Sequence, residues 1–320
     1  MLKLLFKSLL CLVLAAMLYV GVFFAAFFTF PKYEQSYQKA IILQKEALAK
    51  MDESKAEIVV VGGSDVAFSI NAEALSKELS MPAKISGVHA GLGYSISFDN
   101  LKENIGKNDI IVLEYTNFKP DYYGIELLLT AFEGNSEMLS YLAKNEKTRK
   151  NLILNSHTFI NKKITAFIVE PIMNLTNNDL DYTLSLFDKN GTMTAQRDGF
   201  KNASYYKNPI ILNKSIINED TIRYVNDFYD YCLSKGAEFY ITFPPVYDKA
   251  ILSSADEANE YESILREKLR APVISSVKDS ILPKKYIYNA NLHCNTEGSI
   301  YYTKNLADNI KNQRNQAANQ

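Results

Sequence analysis

Residues 58–68 read Ile58-Val59-Val60-Val61-Gly62-Gly63-Ser64-Asp65-Val66-Ala67-Phe68, or IVVVGGSDVAF. Four consecutive apolar residues, three of them valine, are the pattern of a strand buried on both faces. The glycine pair ends it, and a serine and an aspartate stand directly beyond its carboxyl end. Working outward, AKISGV (83–88) and DIIVLEY (109–115) read as a second and a third strand. Between them lie helical segments, one capped by Asn71 and running to Leu79, the other ended by Gly106. The alternation lapses over 119–213, where a helix is expected only at Ile125–Phe132, and this stretch reads as an insertion or cap. It resumes with a helix at Glu219–Lys235, closed by Gly236, and a strand EFYITF (238–243) stopped by Pro244 and Pro245. A helix over Asp256–Arg270, a short strand APVISS (271–276) and a helix over Thr296–Lys311 follow. Apolar strands separated by helices define an α/β domain over 56–315, with a mostly parallel sheet and helices on both faces. Residues 316–320 read as a frayed tail.

The N-terminus is of a different kind. After Lys3 and Lys7 an uncharged run extends from Leu9 to Phe30. About 20 apolar helical residues cross a hydrocarbon core of about 30 Å. The run is too long for a cleaved signal and has no small-x-small exit, so it reads as an uncleaved transmembrane anchor over 9–30. Residues 1–8 are then expected in the cytoplasm, with the main domain outside it, because basic flanks stay inside. Residues 31–55, without glycine and with one proline at their start, read as a stalk helix. The formal net charge of −1, spread along the 320 residues, argues against a nucleic-acid partner. Cys232 and Cys294 can pair outside the cytoplasm or stay as buried thiols; the sequence leaves both open.

In an open parallel sheet, ligands bind beyond the carboxyl ends of the strands. Ser64 follows the first strand, GVHAGLG (87–93) the second and Asn117 the third, while His293 precedes the last helix. A serine hydroxyl becomes a useful nucleophile only when a base takes its proton. Backbone N–H groups and an amide side chain can stabilise a developing oxyanion, each contributing about 2.7–4 kcal/mol in comparable enzymes. No G-x-S-x-G elbow is present, which disfavours an α/β-hydrolase. The three histidines and the cysteines show no metal-ligand spacing, so no metal site and no cofactor is expected.

This order of residues resembles the SGNH (GDSL-type) hydrolase superfamily over roughly 57–118 and 219–311. The resemblance implies a three-layer α/β/α fold with a flavodoxin-like sheet. It makes Ser64 the nucleophile, in GGSD where the family often has a Gly-Asp-Ser-like turn, and His293 the general base. It makes the Gly91 N–H and the Asn117 amide the oxyanion donors. The family usually carries Asp-x-x-His, whereas Ala290 lies three residues before His293. A membrane-anchored branch reads Asp-Thr-x-Tyr-His-Leu-Asn-x-x-Gly, and in that pattern Asn289 of NANLHCNTEG takes the place of the acid. Glu114 and Asp99 are the other acids near the sheet edge. Asp65 is a candidate for orienting a helix end or the substrate. His89 is a candidate second histidine, or a group bonded within its own loop.

Anchored members of this superfamily are similar to the alginate O-acetylation factors and the D-alanine transfer protein of teichoic acids. The resemblance thus implies an extracytoplasmic O-acyltransferase or esterase working through Ser64 on a cell-envelope polysaccharide. The acyl group is expected to be acetyl, with a membrane-bound O-acyltransferase as partner. The alternative expectation is a catalytically impaired subunit that binds glycan or assembles such a complex.

Overall fold

The structure is a computed structural model that describes residues 1–29, 36–52, 54–116, 120–169, 183–201 and 209–319. Apart from single turns, the described helices in chain order are α1 (Leu2–Phe28), α2 (Ala40–Leu48), α3 (Ser64–Ser69), α4 (Ala72–Leu79) and α5 (Tyr94–Lys102). Then come α6 (Ile125–Phe132), α7 (Ser136–Lys144), α8 (Glu146–Ile164), α9 (Glu219–Ser234), α10 (Ala255–Lys268) and α11 (Thr296–Ala318). The chain forms two compact units, Ala40–Tyr123 with Ser185–Gln320 and Met1–Lys39 with Gly124–Leu184.

The first unit is built on β1 (Ile58–Val61), β2 (Ala83–Ser86), β3 (Ile110–Glu114) and β4 (Glu238–Thr242), all parallel, in the order β2-β1-β3-β4. The order reverses between β1 and β3, so the crevice where open α/β sheets bind ligands lies at the end of β1. Alternate strand residues serve opposite faces. Ile58, Val60, Ile110 and Val112 pack with Val66, Leu75, Tyr302, Leu306 and Ile310 of α3, α4 and α11. Val59, Val61, Ile111, Leu113 and Phe239 pack with Phe98 of α5, Val225 and Phe228 of α9 and Leu265 of α10. Phe98 and Phe228 stack with ring centroids 3.8 Å apart. Removing one such buried ring typically costs about 3–5 kcal/mol. A smaller parallel pair joins β5 (Val246–Tyr247) to β6 (Ile281–Leu282).

Four expectations need correction. The 271–276 segment makes only an isolated parallel bridge, Val273 to Ile241, rather than a strand; Pro272 supplies a carbonyl there but has no N–H to give. The stalk is a docked element, because α2 carries the fully buried Gln44. The Gln44 side chain donates to Gly87 O at 3.3 Å and Gly191 O at 2.9 Å and accepts from Gly87 N–H at 2.9 Å. The tail continues α11 through Ala318, since Gln, Arg and Ala favour helix and neither glycine nor proline intervenes. The cap over 119–213 is divided. Gly124–Leu184 belongs to the second unit and carries α7 and α8 besides α6, whereas the part through Tyr123 and from Ser185 onward belongs to the sheet-bearing unit.

In the second unit Asn135 and Asn145 cap α7 and α8 through their side chains. Lys163 pairs with Glu133 in a buried ion pair, and Lys39 donates to Glu133 O at 2.8 Å. Only Ala26 and Phe27 of α1 are buried, and α1 is long and apolar enough to span a membrane. Phe27 packs near Phe159 of α8, and Tyr19 Oη and Ser156 Oγ are 2.8 Å apart.

Candidate functional site

Ser64 is the first residue of α3, directly past the glycine pair, and stays half-buried. The turn that presents it is packed so closely that side chains are excluded. A Cβ on Gly63 would stand 3.0 Å from Ala90 N and 2.7 Å from Asp65 Oδ1. A Cβ on Gly87 would stand 2.3 Å from Gly62 O. The loops after β1 and β2 therefore touch backbone to backbone, which only glycine permits.

His293 reaches this turn from a loop just before α11. Its N–H donates to Ala290 O at 3.1 Å and its carbonyl accepts from Tyr288 N–H at 2.8 Å, which fixes a tight turn. Ser69 Oγ donates to Leu292 O at 3.2 Å and ties that turn to α3. His293 Nε2 lies 2.9 Å from Ser64 Oγ, and His293 Nδ1 lies 2.9 Å from Asn289 Oδ1. The imidazole stacks flat on Phe68, centroids 4.0 Å apart at 3°. Arg197 stands 5.6 Å from the same phenyl ring and donates to Phe68 O at 3.1 Å and Cys294 O at 3.3 Å. Three sequence-predicted residues, Ser64, His293 and Asn289, thus form one hydrogen-bonded chain.

With Asn289 Oδ1 as acceptor, His293 carries its hydrogen on Nδ1 and turns the Nε2 lone pair toward the Ser64 hydroxyl. That is the tautomer able to take a proton from serine. Burial first, then the Arg197 guanidinium and His89, pushes the His293 pKa down to about 3.

The candidate acids are occupied elsewhere. Asp99 pairs with Lys102 at 3.1 Å. Glu114 and Asp65 form a buried carboxyl couple beneath the turn, and a Cβ on Gly62 would meet both. Burial pushes Asp65 up to about 6, and burial together with Asp65 holds Glu114 well above the usual carboxylate range. Asp65 Oδ2 and both Glu114 oxygens meet no ordinary donor among the described residues, so the two carboxyls hydrogen-bond to one another only when one of them holds a proton. Asp65 Oδ1 accepts from Gly63 N–H at 2.9 Å, which shapes the Ser64 turn.

The Gly91 N–H donates to His89 Nδ1 at 2.9 Å, so His89 is bonded within its own loop and occupies the expected oxyanion donor. Asn117 lies outside the described residues. Its neighbour Thr116 is held by Tyr94, whose hydroxyl donates to Thr116 O at 2.6 Å and accepts from Thr116 N–H at 2.8 Å. Among the described residues no group of three or more His, Cys, Asp or Glu side chains is placed to hold a metal ion, and Cys232 and Cys294 are free buried thiols. Phe68 and Arg197 escaped the sequence reading. The period of α3 marks Phe68 only as core, and Arg197 lies in the irregular insertion without a motif.

Taken as chemistry, the chain of contacts can move a proton from a half-buried serine hydroxyl to a neutral imidazole. The chain matches no protein-family model and no curated protein.

Proposed function

We propose that this chain is a membrane-anchored serine acyltransferase or esterase of the SGNH type, acting through an acyl-Ser64 intermediate. The observation that carries the reading is the Ser64 Oγ to His293 Nε2 contact of 2.9 Å, with Asn289 on the other ring nitrogen. The β2-β1-β3-β4 order and the packing of both sheet faces by helices support the three-layer fold of that superfamily. The apolar α1 and the basic Lys3 and Lys7 support an extracytoplasmic domain. The acceptor is then a cell-envelope polysaccharide and the partner a membrane-bound O-acyltransferase, both by analogy with anchored relatives of that type.

Full-length protein in nanodiscs, treated with a fluorophosphonate probe, tests this reading. The wild type is expected to be labelled and Ser64→Ala to be silent. Equal labelling of both removes Ser64 as the nucleophile. A second reading, a glycan-binding or assembly subunit of an acylation complex, is favoured by one observation: an amide stands where the triad acid would charge-stabilise the imidazolium. Absence of labelling in the wild type supports it.

A further inference from the structure

Beyond the ends of β3 and β4 opens a cleft of about 380 Å³, within the range of small-molecule sites. Its walls are chiefly apolar, with Ile210, Leu212, Phe243, Val246 and Val277 among them. Tyr115 also lines it, and the Tyr115 hydroxyl is buried with no hydrogen-bond partner among the described residues.

The sheet order sets the scale of the separation between this cleft and the end of β1. Val61 of β1 is level with Leu113 of β3, and Leu113 is level with Ile241 of β4. Ser64, Thr116 and Pro244 are each the third residue beyond those positions, and Thr116 and Pro244 both line the cleft. With about 4.8 Å between neighbouring strands, one to two spacings, about 5–10 Å, separate the end of β1 from the ends of β3 and β4. On the opposite side Leu292 lines it, directly before the histidine that contacts Ser64.

We propose that this cleft takes the aliphatic tail of a medium-chain acyl group carried as an ester on Ser64. This inference rests on the acyl-serine reading above and replaces acetyl by a longer chain. A chain advances about 1.3 Å per methylene, given a C–C bond of about 1.5 Å, so about four to eight carbons are needed to reach across a cleft placed this way. An acetyl group reaches none of it. In the transfer, the Ser64 proton passes to His293 Nε2 as Oγ bonds to the carbonyl carbon of an acyl ester. The bond to the leaving alcohol breaks, and that alcohol takes the proton from His293. An acceptor hydroxyl or water then gives its proton to His293 as it bonds to the carbonyl carbon. The bond from Oγ to that carbon breaks and Ser64 regains its hydrogen.

The experiment uses the full chain in nanodiscs and a series of alkyl fluorophosphonates from ethyl to decyl, with labelling of Ser64 followed by mass spectrometry. The second-order rate is expected to rise about threefold to fourfold per methylene, the factor that burying one CH₂ supplies, and to level off near eight carbons. Ile211→Trp at the exposed rim and Val277→Phe inside the cleft are both expected to bring the octyl-to-ethyl rate ratio down toward one, with folding checked by circular dichroism. Labelling of Ser64 at a rate independent of chain length, or an octyl-to-ethyl ratio unchanged in both folded variants, overturns the cleft assignment and leaves the acyl-serine reading standing. If no probe of any length reaches Ser64, that reading fails and this inference falls with it.

Discussion

Asn289 decides what the contact between Ser64 and His293 can achieve. Its Oδ1 accepts from His293 Nδ1 in the productive arrangement, while its Nδ2 is buried with no partner among the described residues. Rotating the amide by half a turn would aim Nδ2 at Nδ1 and move the imidazole hydrogen to Nε2, facing the serine. An aspartate would allow only the productive tautomer and would also stabilise the imidazolium. In a serine protease the reverse change, acid to amide, lowers turnover about 10⁴-fold. Asn289→Asp is therefore expected to raise kcat for an activated ester by about 10²-fold or more.

The same substitution moves the pH profile. A base is active when deprotonated, so with the His293 pKa near 3 the rate of the wild type holds down to about pH 4 and falls below it. The added carboxylate raises that pKa, and the acid limb moves up toward the ordinary histidine range near 6.5. A rate and a limb that both stay put would remove Asn289 as the partner of His293. Ser64 and His293 were legible in the sequence because one follows a strand and the other precedes a helix, and Asn289 only through its place in the pattern of the family the chain resembles. Phe68 and Arg197 were not, since their meeting at the imidazole depends on packing across more than a hundred residues.

The turns after β1 and β2 act as one piece. Gly62 and Gly63 pass so close to Gly87 and Ala90 that the serine turn and the His89–Gly91 loop share a backbone surface. Gly87 also exchanges two hydrogen bonds with Gln44 of α2, which holds it from behind. Gly87→Ala must move one loop away from the other, because a methyl group 2.3 Å from Gly62 O has no room. The expected outcome is a destabilisation of about 1–3 kcal/mol, typical of overpacking, in thermal unfolding. A loss of fluorophosphonate labelling larger than the unfolded fraction explains is expected with it. Unchanged stability and labelling would show that the two turns are not mechanically joined.

Strands β1 to β4 were readable because their apolar runs have no other stable place than a sheet covered on both faces. The expected strand over 271–276 was overread, since one bridge at Val273 satisfies its backbone and Pro272 prevents a longer ladder. Helix α8 was missed because its sequence is polar over most of its length, and its support comes from α1, α6 and α7 rather than from an apolar stripe of its own.

The exposed apolar surface is concentrated in the unit that contains α1. Leu4, Leu9, Leu12, Met17 and Leu18 of α1 are exposed, and so are Ile153, Leu154, Phe167 and Ile168 in α8 and the turn after it. Leu18, at 70% exposure, and Ile153, at 69%, are as open as loop lysines, which water does not tolerate over a continuous surface. Since α8 packs against α1 through Tyr19 and Phe27, one bilayer can cover both. Single cysteines in a Cys11→Ser background test this arrangement, the native Cys232 and Cys294 being buried. Ser234→Cys, on the exposed end of α9, is expected to react with a membrane-impermeant maleimide in intact cells. Leu2→Cys, beside Lys3, is expected to react only after lysis, because the proposed orientation, with the basic flank inside, puts the N-terminus in the cytoplasm. Ile153→Cys is expected to react slowly before and after lysis and to become reactive when detergent strips the lipid. Reversed labelling of Ser234→Cys and Leu2→Cys would invert the orientation, whereas fast labelling of Ile153→Cys in intact membranes would place α8 in water and restrict the bilayer contact to α1.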